Sequence, residues 1–300
     1  MLDDLIFYCD QRNIKYIKDE PMSKHTSFKI GGPCDLLVYV DSIRLLKEFI
    51  HRCKVENVNY MILGNGTNML VHDEGISGAV IKLCGEFDNV FVASTFITAG
   101  ASASLEDVCK LARDNSLTGL EFAYGIPGSV GGAAFMNAGA YDSEMKNVIM
   151  GVSYLDKNNE VKEYLIDDLH FGYRKSIFRE TGEIILNVKF KLEPGNFVDI
   201  SNKMDDLLQR RKSKQPLEFP SAGSVFKRPD GQYAGTLIQE CGLKGKTVGG
   251  AQVSDKHSGF IINIGNATCN DVLNLVKVVQ DTVKDKTGFF LEREIIDLGR

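Results

Sequence analysis

The chemistry with the clearest sequence signal lies in a glycine-rich segment, residues 124–144, which reads YGIPGSVGGAAFMNAGAYDSE. Its glycines interrupt any regular helix or strand, yet the segment is too apolar and too poor in charge to be a flexible linker. Because glycine has no side chain, such a backbone can approach a ligand closely and direct its N–H groups at anionic oxygens. The alternative is a tightly packed turn between core elements, and this segment alone favours neither.

A second loop rich in backbone donors follows a short apolar run in ILGNGTNMLV, residues 62–71. Gly64 and Gly66 resemble the start of a dinucleotide-binding fingerprint, but Asn68 breaks the pattern, and a strand-like run follows where a helix is required. The loop is either a phosphate site built from N–H groups or a hairpin turn at Asn-Gly. Two such loops could hold the two ends of a pyrophosphate. Together they therefore favour dinucleotide binding more than either loop does alone.

Three single residues could carry chemistry, although each type is more often structural. Arg174 lies in GYRKS; an isolated arginine is usually a surface residue, but its guanidinium can bind a carboxylate through two hydrogen bonds. Ser224 in AGSVF lacks a GxSxG elbow and an activating histidine, so a hydrolase nucleophile is not indicated. In the last apolar run, FFLEREIIDLG, strand alternation places Glu292 and Glu294 on one face, which is typical of a solvated side.

The elements that must position these residues mix helices and strands without a regular order. Apolar periodicity and capping residues predict helices at 41–54, 104–115, 199–213, near 234–241 and about 270–286. Apolar runs predict strands at 60–63, 149–155, 161–165, 184–192, 259–264 and in FFLEREIIDLG, with DKNNE as a hairpin connection. This mixture predicts an α+β fold rather than regular βαβ winding, with a domain boundary at the helix 199–213.

Composition and charge exclude several classes of function. A net charge of -5 does not favour non-specific binding to nucleic acid or to an anionic membrane. No apolar run approaches the ~20 residues that span a bilayer, and the N-terminus lacks the features of a signal peptide. The seven cysteines are scattered and never form C-x-x-C, which is typical of a reducing cytosol. The five histidines are dispersed without ligand spacing, so we expect no metal site.

Several longer motifs occur in the order seen in one known family. KHTSFKIGGP, ILGNGTNMLV and GIPGSVGGAAFMNAGAY are followed by FGYRKSIF, SAGSVFKRP and FLEREI. With these motifs the chain resembles the UDP-N-acetylenolpyruvoylglucosamine reductases, flavoenzymes of bacterial peptidoglycan precursor synthesis. The resemblance covers nearly the whole chain, although family members usually carry asparagine where this chain has His25. The compact C-terminal part indicates the shorter subclass, which lacks an extra substrate-covering loop.

The resemblance implies how FAD is bound. It implies an α+β FAD-binding fold of the vanillyl-alcohol oxidase type over residues 1–198, in two subdomains divided near 90–100, followed by a substrate-binding domain over 199–300. We expect FAD to be dissociable rather than attached to a histidine. Its pyrophosphate would lie against Gly64, Asn65, Gly66, Thr67 and Asn68. The flavin and its ribityl chain would be flanked by Gly125, Ile126, Pro127, Gly128, Ser129, Gly132 and Asn137.

The resemblance also implies a reaction that uses NADPH and a UDP-sugar. NADPH reduces FAD, and hydride then passes to the methylene carbon of UDP-N-acetylglucosamine enolpyruvate, which gives UDP-N-acetylmuramate. Arg174 would bind the enolpyruvyl carboxylate, Ser224 would protonate the adjacent carbon, and Glu294 would assist as charge develops. A serine is a weak acid, but an enolate is basic enough to take its proton.

Further contacts and two rival functions complete these expectations. The expected substrate-binding residues are Tyr173, against the sugar or nicotinamide, and Lys212 and Lys227, towards the diphosphate. We expect small-molecule partners only, no nucleic acid or membrane partner, and a cytoplasmic location. Two alternatives stay open: an FAD oxidase of the same superfamily that passes electrons to oxygen, and a non-catalytic nucleotide-sugar-binding protein.

Overall fold

The computed structural model describes residues 2–299, which divide into two units. The first unit contains residues 2–17, 37–65 and 78–211, and the second contains 18–36, 66–77 and 212–299. The expected boundary at 198/199 lies within the first unit. Two short stretches from the N-terminal part of the chain belong with the C-terminal residues in the second unit.

Helices form where apolar residues recur at helical spacing after a capping residue. The α-helices are α1 Leu2–Arg12, α2 Ile43–Val55, α3 Leu105–Asp114, α4 Val130–Phe135, α5 Phe178–Thr181, α6 Phe197–Lys214, α7 Ala234–Glu240 and α8 Cys269–Thr287. Short 3-10 helices lie at Met22–Lys24, Gly85–Asp88, Glu121–Ala123, Met145–Asn147 and Ile166–Leu169. The five helices predicted from the sequence correspond to α2, α3, α6, α7 and α8. Among the described residues, no helix has the length and apolar character that crossing a bilayer requires.

Capping side chains mark the beginning of three of the predicted helices, α2, α3 and α8. Ser42 and Ser104 cap α2 and α3, each accepting a hydrogen bond from the N–H three residues further on. Thr268 begins α8 with a reciprocal pair, because its Oγ1 accepts from Asp271 N while the Asp271 carboxylate accepts from Thr268 N. Gly288 follows the last turn at a φ of +80°, a conformation that favours glycine.

The strands are short and mostly antiparallel. They are β1 Tyr16–Pro21, β2 Pro33–Val40, β3 Tyr60–Ile62, β4 Met69–Val71, β5 Ile76–Leu83, β6 Val90–Ala93, β7 Phe96–Gly100, β8 Leu117–Thr118, β9 Gly139–Ala140, β10 Ser143–Glu144, β11 Ile149–Leu155, β12 Val161–Leu165, β13 Ile184–Lys191, β14 Glu193–Pro194, β15 Ser221–Ser224, β16 Thr247–Val248, β17 Ala251–Val253, β18 Phe260–Asn263 and β19 Ile296–Leu298. One sheet has the order β1-β2-β5-β3, and its strands β3 and β5 are parallel.

The largest sheet of the first unit is antiparallel, with the order β12-β11-β13-β7-β6. Its strands β11 and β12 have the bounds predicted from the sequence, and DKNNE connects them as a hairpin that begins with the pair Leu155–Val161. In the second unit, β15-β18-β17-β16 form a sheet on which α8 packs. The inner face of α8 is buried as predicted, through Val272, Leu275, Val279 and Val283.

The predicted strand over FFLEREIIDLG is wrong for most of its length. The only strand here among the described residues is β19, which pairs parallel with β4. Leu291 and Ile295 are buried and Glu292 is exposed, as the expected alternation requires, but Arg293 and Glu294 are both only partly buried. Residues 292–294 instead bond to the chain that follows β15, which includes an isolated bridge between Phe226 and Arg293.

Glu121 is a buried carboxylate in the 3-10 helix that precedes the glycine segment, and only 3% of its surface is exposed. Burial by itself raises the pKa of Glu121. Hydrogen bonds from Thr118 Oγ1 and Gly119 N, together with Lys203, outweigh burial and leave the pKa below its usual value. Since the folded-state pKa lies below the unfolded one, this contribution to stability is present above the unfolded pKa and is lost as the pH falls through the folded pKa.

Glu121→Gln should therefore lower the free energy of unfolding by about 1–3 kcal/mol near neutral pH, because the partly buried donors Thr118 Oγ1 and Gly119 N lose a charged acceptor. Urea unfolding near neutral pH and at about pH 4 measures the effect, and the deficit should shrink at the acidic pH. Glu106→Gln, at an exposed position of α3, is the matched control and should change little. An equal deficit at both pH values would contradict the role given to the ionised carboxylate.

Candidate active site

The loop at residues 64–68 connects strands of two different sheets. β3 before the loop pairs with β5, and β4 after it pairs with β19. The hairpin alternative is therefore wrong, because the flanking strands do not pair with each other. An irregular connection of this kind leaves backbone groups available for other partners.

The N–H groups of this loop are the unused donors of the site. Within residues 2–299, none of the N–H groups of residues 64–68 donates to a protein acceptor. Two carbonyl groups of the same loop are bonded: Gly66 O accepts from Ser27 N at 3.1 Å, and Asn68 O accepts from Ile296 N at 2.9 Å. Successive N–H groups without protein acceptors suit an anion such as a diphosphate, whose oxygens accept several hydrogen bonds at once.

Gly66 allows the backbone of the loop to pass close to the carbonyl group of His25. Its φ is +62°, and a Cβ built on it would lie 2.1 Å from the carbonyl oxygen of His25, so no side chain fits without moving backbone. The His25 imidazole is held by Glu20, with 3.0 Å between Nε2 and Oε1. This hydrogen bond is the largest cause that lowers the pKa of Glu20. His25 thus contacts the loop through its backbone, and dissociable FAD stays a prediction.

The glycine segment contains a short helix, α4, which was not predicted from the sequence. Ser129 is 2% exposed and caps this helix, with its Oγ accepting from Gly132 N at 3.2 Å. Gly131 N donates to Ala101 O at 2.8 Å, and a Cβ on Gly131 would lie 2.9 Å from the Ala101 side chain. Glycine therefore serves close packing here rather than interrupting the helix. Because these N–H donors are bonded within the protein, this segment can line a ligand site but has fewer free donors for a phosphate.

The two glycine loops meet at Gly64 and Ser129. A Cβ on Gly64 would lie 2.8 Å from Ser129 Oγ, so the missing side chain gives the serine cap its space. Both residues belong to the first unit. The structure therefore brings together two loops that the sequence interpretation assigned to one ligand.

Asn137 connects the end of the glycine segment to the turn that carries Arg174. It is fully buried at a φ of +43°. Its Nδ2 donates to Glu144 Oε2 at 2.9 Å and to Gly172 O at 3.0 Å, and its Oδ1 accepts from Lys146 N at 2.9 Å. These bonds hold backbone segments together, and a direct contact of Asn137 with the flavin stays a prediction.

Arg174 lies at the tip of a tight turn. Gly172 and Lys175 exchange two backbone hydrogen bonds, of 3.1 and 3.0 Å, on either side of it. Its φ is +54°, a left-handed conformation that costs a residue with a Cβ roughly 1–3 kcal/mol and is enriched at functional sites. The guanidinium donates to Gly139 O at 3.3 Å and lies 5.0 Å from the ring centroid of Tyr173. Arg174 is thus partly buried beside the glycine segment.

Ser224 and Glu294 lie close to each other in the second unit. Ser224 ends β15, and Glu294 N donates to the carbonyl of the next residue, Val225, at 2.8 Å. Gly223 has a φ of +76°, and a Cβ there would meet nothing within 4 Å, so there is open space beside the serine. Asn68 Nδ2 reaches Glu294 O at 3.5 Å. The second unit therefore holds two of the predicted catalytic residues, whereas Arg174 belongs to the first.

Comparisons with known proteins match both parts of the chain. Residues 34–164 match an FAD binding domain, and residues 215–297 match the C-terminal domain of UDP-N-acetylenolpyruvoylglucosamine reductase. A UDP-N-acetylenolpyruvoylglucosamine reductase from Caldanaerobacter subterraneus subsp. tengcongensis is 52% identical over 95% of this chain and 94% of that protein. This chain belongs to the UDP-N-acetylenolpyruvoylglucosamine reductase family. A second reductase of this name, from Clostridium perfringens, is 49% identical over 94% of this chain and 92% of its own length.

Solved structures confirm the fold. The crystal structure of UDP-N-acetylenolpyruvylglucosamine reductase from Thermus caldophilus superimposes with a TM-score of 0.81 at 36% identity, covering 95% of this chain and 98% of that one. A glucose oxidase variant, Phl p 4, has a TM-score of 0.50 at 14% identity, over 65% of this chain and 44% of its own, and shows the fold alone. The predicted α+β, FAD-binding fold of the vanillyl-alcohol oxidase type is confirmed.

Arg211 lies beside the glycine segment, a position that sequence reasoning did not predict for it. Its side chain packs on the glycine segment, since a Cβ on Gly125 would lie 3.4 Å from Arg211 Cδ. Burial lowers the pKa of Arg211, and Tyr141 opposes that shift. The signal was available, because Arg211 follows the buried Leu207 by four residues and so shares its face of α6.

Two of the three expected substrate-binding residues, Lys212 and Tyr173, are exposed, and Lys227 is partly buried. Lys212, which follows Arg211 on α6, is exposed and belongs to the second unit. Lys227 forms an ion pair with Glu292, which is exposed as expected. Tyr173 is 50% exposed. None of these placements tests substrate binding, so all three stay predictions.

Gly66→Ala should reduce the flavin content of the purified protein strongly, because its Cβ would displace the backbone of the loop. Gly182→Ala is the matched control: it has a similar φ of +69°, but a Cβ there meets nothing within 4 Å. The control should lose only about 1 kcal/mol of stability and keep its flavin. Flavin absorbance per protein, together with urea unfolding, measures both. Equal flavin content in the two variants would contradict the constraint placed on Gly66.

Proposed function

We propose that this chain reduces UDP-N-acetylglucosamine enolpyruvate to UDP-N-acetylmuramate, with FAD bound and NADPH as the reductant. The observation that carries the proposal is the backbone bond from Glu294 to Val225, which brings a carboxylate residue next to Ser224 in a chain of this reductase family. A non-catalytic sugar-binding protein does not require that pairing. The roles of the individual residues follow from their geometry.

The loop at residues 64–68 fits the diphosphate of FAD. Its N–H groups lack protein acceptors, and the missing side chain of Gly66 keeps the backbone accessible. FAD bound there would supply the hydride-transfer chemistry between NADPH and the methylene carbon of the substrate. Gly125, Ile126, Pro127 and Gly128, with the Ser129 cap, would form the wall beside the flavin and its ribityl chain.

Arg174 would bind the carboxylate of the enolpyruvyl group. A guanidinium presents N–H donors in a planar fork that matches two carboxylate oxygens, which a lysine ammonium does not. The turn between Gly172 and Lys175 holds the Arg174 backbone in a strained conformation, and Gly139 O orients one of its nitrogens. A side chain held in this way loses little conformational freedom when substrate arrives.

Ser224 would donate the proton that completes the reduction. Its Oγ needs no activating base, because the substrate carbon next to the carboxylate becomes strongly basic as negative charge moves towards it. The open space beside Gly223 leaves room for a substrate to approach the hydroxyl. Glu294, held next to Ser224 by Val225, would assist as this charge develops.

The remaining expectations complete the proposal. Residues 1–198 would carry FAD and residues 199–300 the substrate, with Lys212 and Lys227 towards the UDP diphosphate and Tyr173 against the sugar or nicotinamide. Lys227 would exchange its ion pair with Glu292 for the phosphate. A cytoplasmic location is supported by the cysteines, because all seven are free thiols, as is typical of proteins in a reducing compartment.

Ser224→Ala should separate the two half-reactions. Reduction of the flavin by NADPH should keep its rate, whereas turnover of the enolpyruvyl substrate should fall by about 10²–10⁴-fold, since a positioned proton donor is lost. Stopped-flow absorbance under nitrogen measures each half-reaction. Ser221→Ala, at the other end of β15, is the matched control and should change neither rate strongly. Equal losses in both half-reactions would remove Ser224 from the role of proton donor.

The visible spectrum distinguishes the proposed reductase from its two alternatives. The purified protein should be yellow, should bleach with NADPH under nitrogen, and should regain its colour when UDP-N-acetylglucosamine enolpyruvate is added. Rapid recovery in air without that substrate would indicate an oxidase. A colourless protein that binds the nucleotide sugar without taking up FAD would indicate a non-catalytic binding protein.

A further inference from the structure

Three potential metal ligands of different chemical types come together in the second unit. His72, Cys269 and Asp297 each offer one ligand atom, and these atoms all lie within 4.8 Å of one another. His72 Nε2 lies 2.8 Å from Asp297 Oδ1, and Cys269 is 2% exposed. The residues are far apart in sequence, so the dispersed histidines that led us to expect no metal site could not reveal this cluster.

We propose that His72, Cys269 and Asp297 bind one Zn²⁺ ion, with water as the fourth ligand. Zinc prefers four ligands in tetrahedral geometry, drawn from thiolate sulfur, imidazole nitrogen and carboxylate oxygen. At Zn–ligand distances of about 2.0–2.3 Å, the ligand atoms of such a site lie roughly 3–4 Å apart, so only small side-chain movements are required. Magnesium and calcium are disfavoured, because they select oxygen ligands.

Neighbouring groups already orient two of the three ligands, Cys269 and Asp297. Asp73 accepts from Cys269 N at 2.8 Å and from Asn270 N at 3.2 Å, which fixes the first turn of α8. Arg293 holds the other oxygen of Asp297, Oδ2, at 3.0 Å and leaves Oδ1 towards His72. Outer contacts of this kind orient metal ligands and strengthen binding.

The charges and the access route also suit a zinc ion. Its two positive charges would balance the Cys269 thiolate and the Asp297 carboxylate, while Asp73 and Arg293 compensate each other. Binding would release the thiol proton and replace the His72–Asp297 hydrogen bond. The side chains of His72 and Asp297 are 31% and 26% exposed, so an ion has a path from solvent.

The ligands come from three elements, which indicates what the ion would do. His72 directly follows β4, Asp297 lies in β19, and Cys269 is the first residue of α8. The strand β19 has only three residues and is held by its parallel pairing with β4, including the bond from His72 N to Leu298 O at 2.8 Å. Zinc would therefore fix the C-terminal strand to the rest of the second unit.

Metal binding by the FAD-loaded full chain tests the proposal. After dialysis against EDTA and then against Zn²⁺, elemental analysis should find one zinc per chain. Co²⁺ in place of zinc should give the absorption bands of a tetrahedral thiolate site at wavelengths beyond the flavin bands. Cys269→Ser should weaken zinc binding by at least about tenfold, since even changes outside the ligand set cost about 10–100-fold. Cys241→Ser is the matched control, a buried cysteine of the same unit outside the cluster, and should bind zinc like the parent.

Two further measurements distinguish loss of zinc binding from simple loss of stability in the variant. Zinc should raise the midpoint of thermal unfolding of the parent and of Cys241→Ser, but not that of Cys269→Ser. If Cys269→Ser does not fold, His72→Asn replaces it with the same expected loss. The proposal is overturned if the parent takes up no zinc after this treatment, or if the ligand variant binds zinc as tightly as the control.

Discussion

The backbone of the loop at residues 64–68 is the constraint on which the rest of the site depends. Gly66 packs on the carbonyl of His25, and the loop carbonyls accept hydrogen bonds from Ser27 and Ile296. With two of its carbonyl groups bonded and its N–H donors unused, the loop presents N–H groups to an anion. The same loop takes the chain from β3, paired with β5, to β4, paired with β19, so the proposed cofactor site and the connection between two sheets share the conformation of Gly66.

In the proposed function, cofactor binding and substrate chemistry would be carried by different parts of the chain. The glycine segment contributes shape, because Ser129 and Gly131 use their polar groups within the protein. Asn137 then holds the strained turn that presents Arg174. Ser224 and Glu294 are joined through Val225 in the other unit. Of the proposed catalytic residues, Arg174 bonds to Gly139 O of the glycine segment and Glu294 O accepts from Asn68 Nδ2, so Ser224 is the one to change when the flavin loops are to stay undisturbed.

The sequence predicted those parts of the fold that local patterns specify. The strands β11 and β12 were predicted to the residue, and five helices were predicted within a few residues, since periodicity and caps are local. The helix α4 was missed because Gly131 is required by contact with Ala101, which only the tertiary structure shows. The pairing of β19 with β4 and the cluster of His72, Cys269 and Asp297 also depend on tertiary contacts, so the sequence did not reveal them. The two glycine loops were paired from the sequence, and the contact between Gly64 and Ser129 agrees with that pairing. The sequence did not reveal that only the loop at residues 64–68 keeps its N–H donors unused, or that Arg211 packs on the glycine segment.

Amide hydrogen exchange across the loop tests the central claim most directly. The flavin-depleted and FAD-loaded proteins are compared by mass spectrometry on peptides that cover residues 64–68, with the DKNNE hairpin connection as an internal reference. If the diphosphate accepts the loop N–H groups, exchange in these peptides should slow markedly when FAD binds, while the reference stays unchanged. Exchange that is equally fast in the FAD-loaded protein would contradict the account, because the donors would then have no ligand.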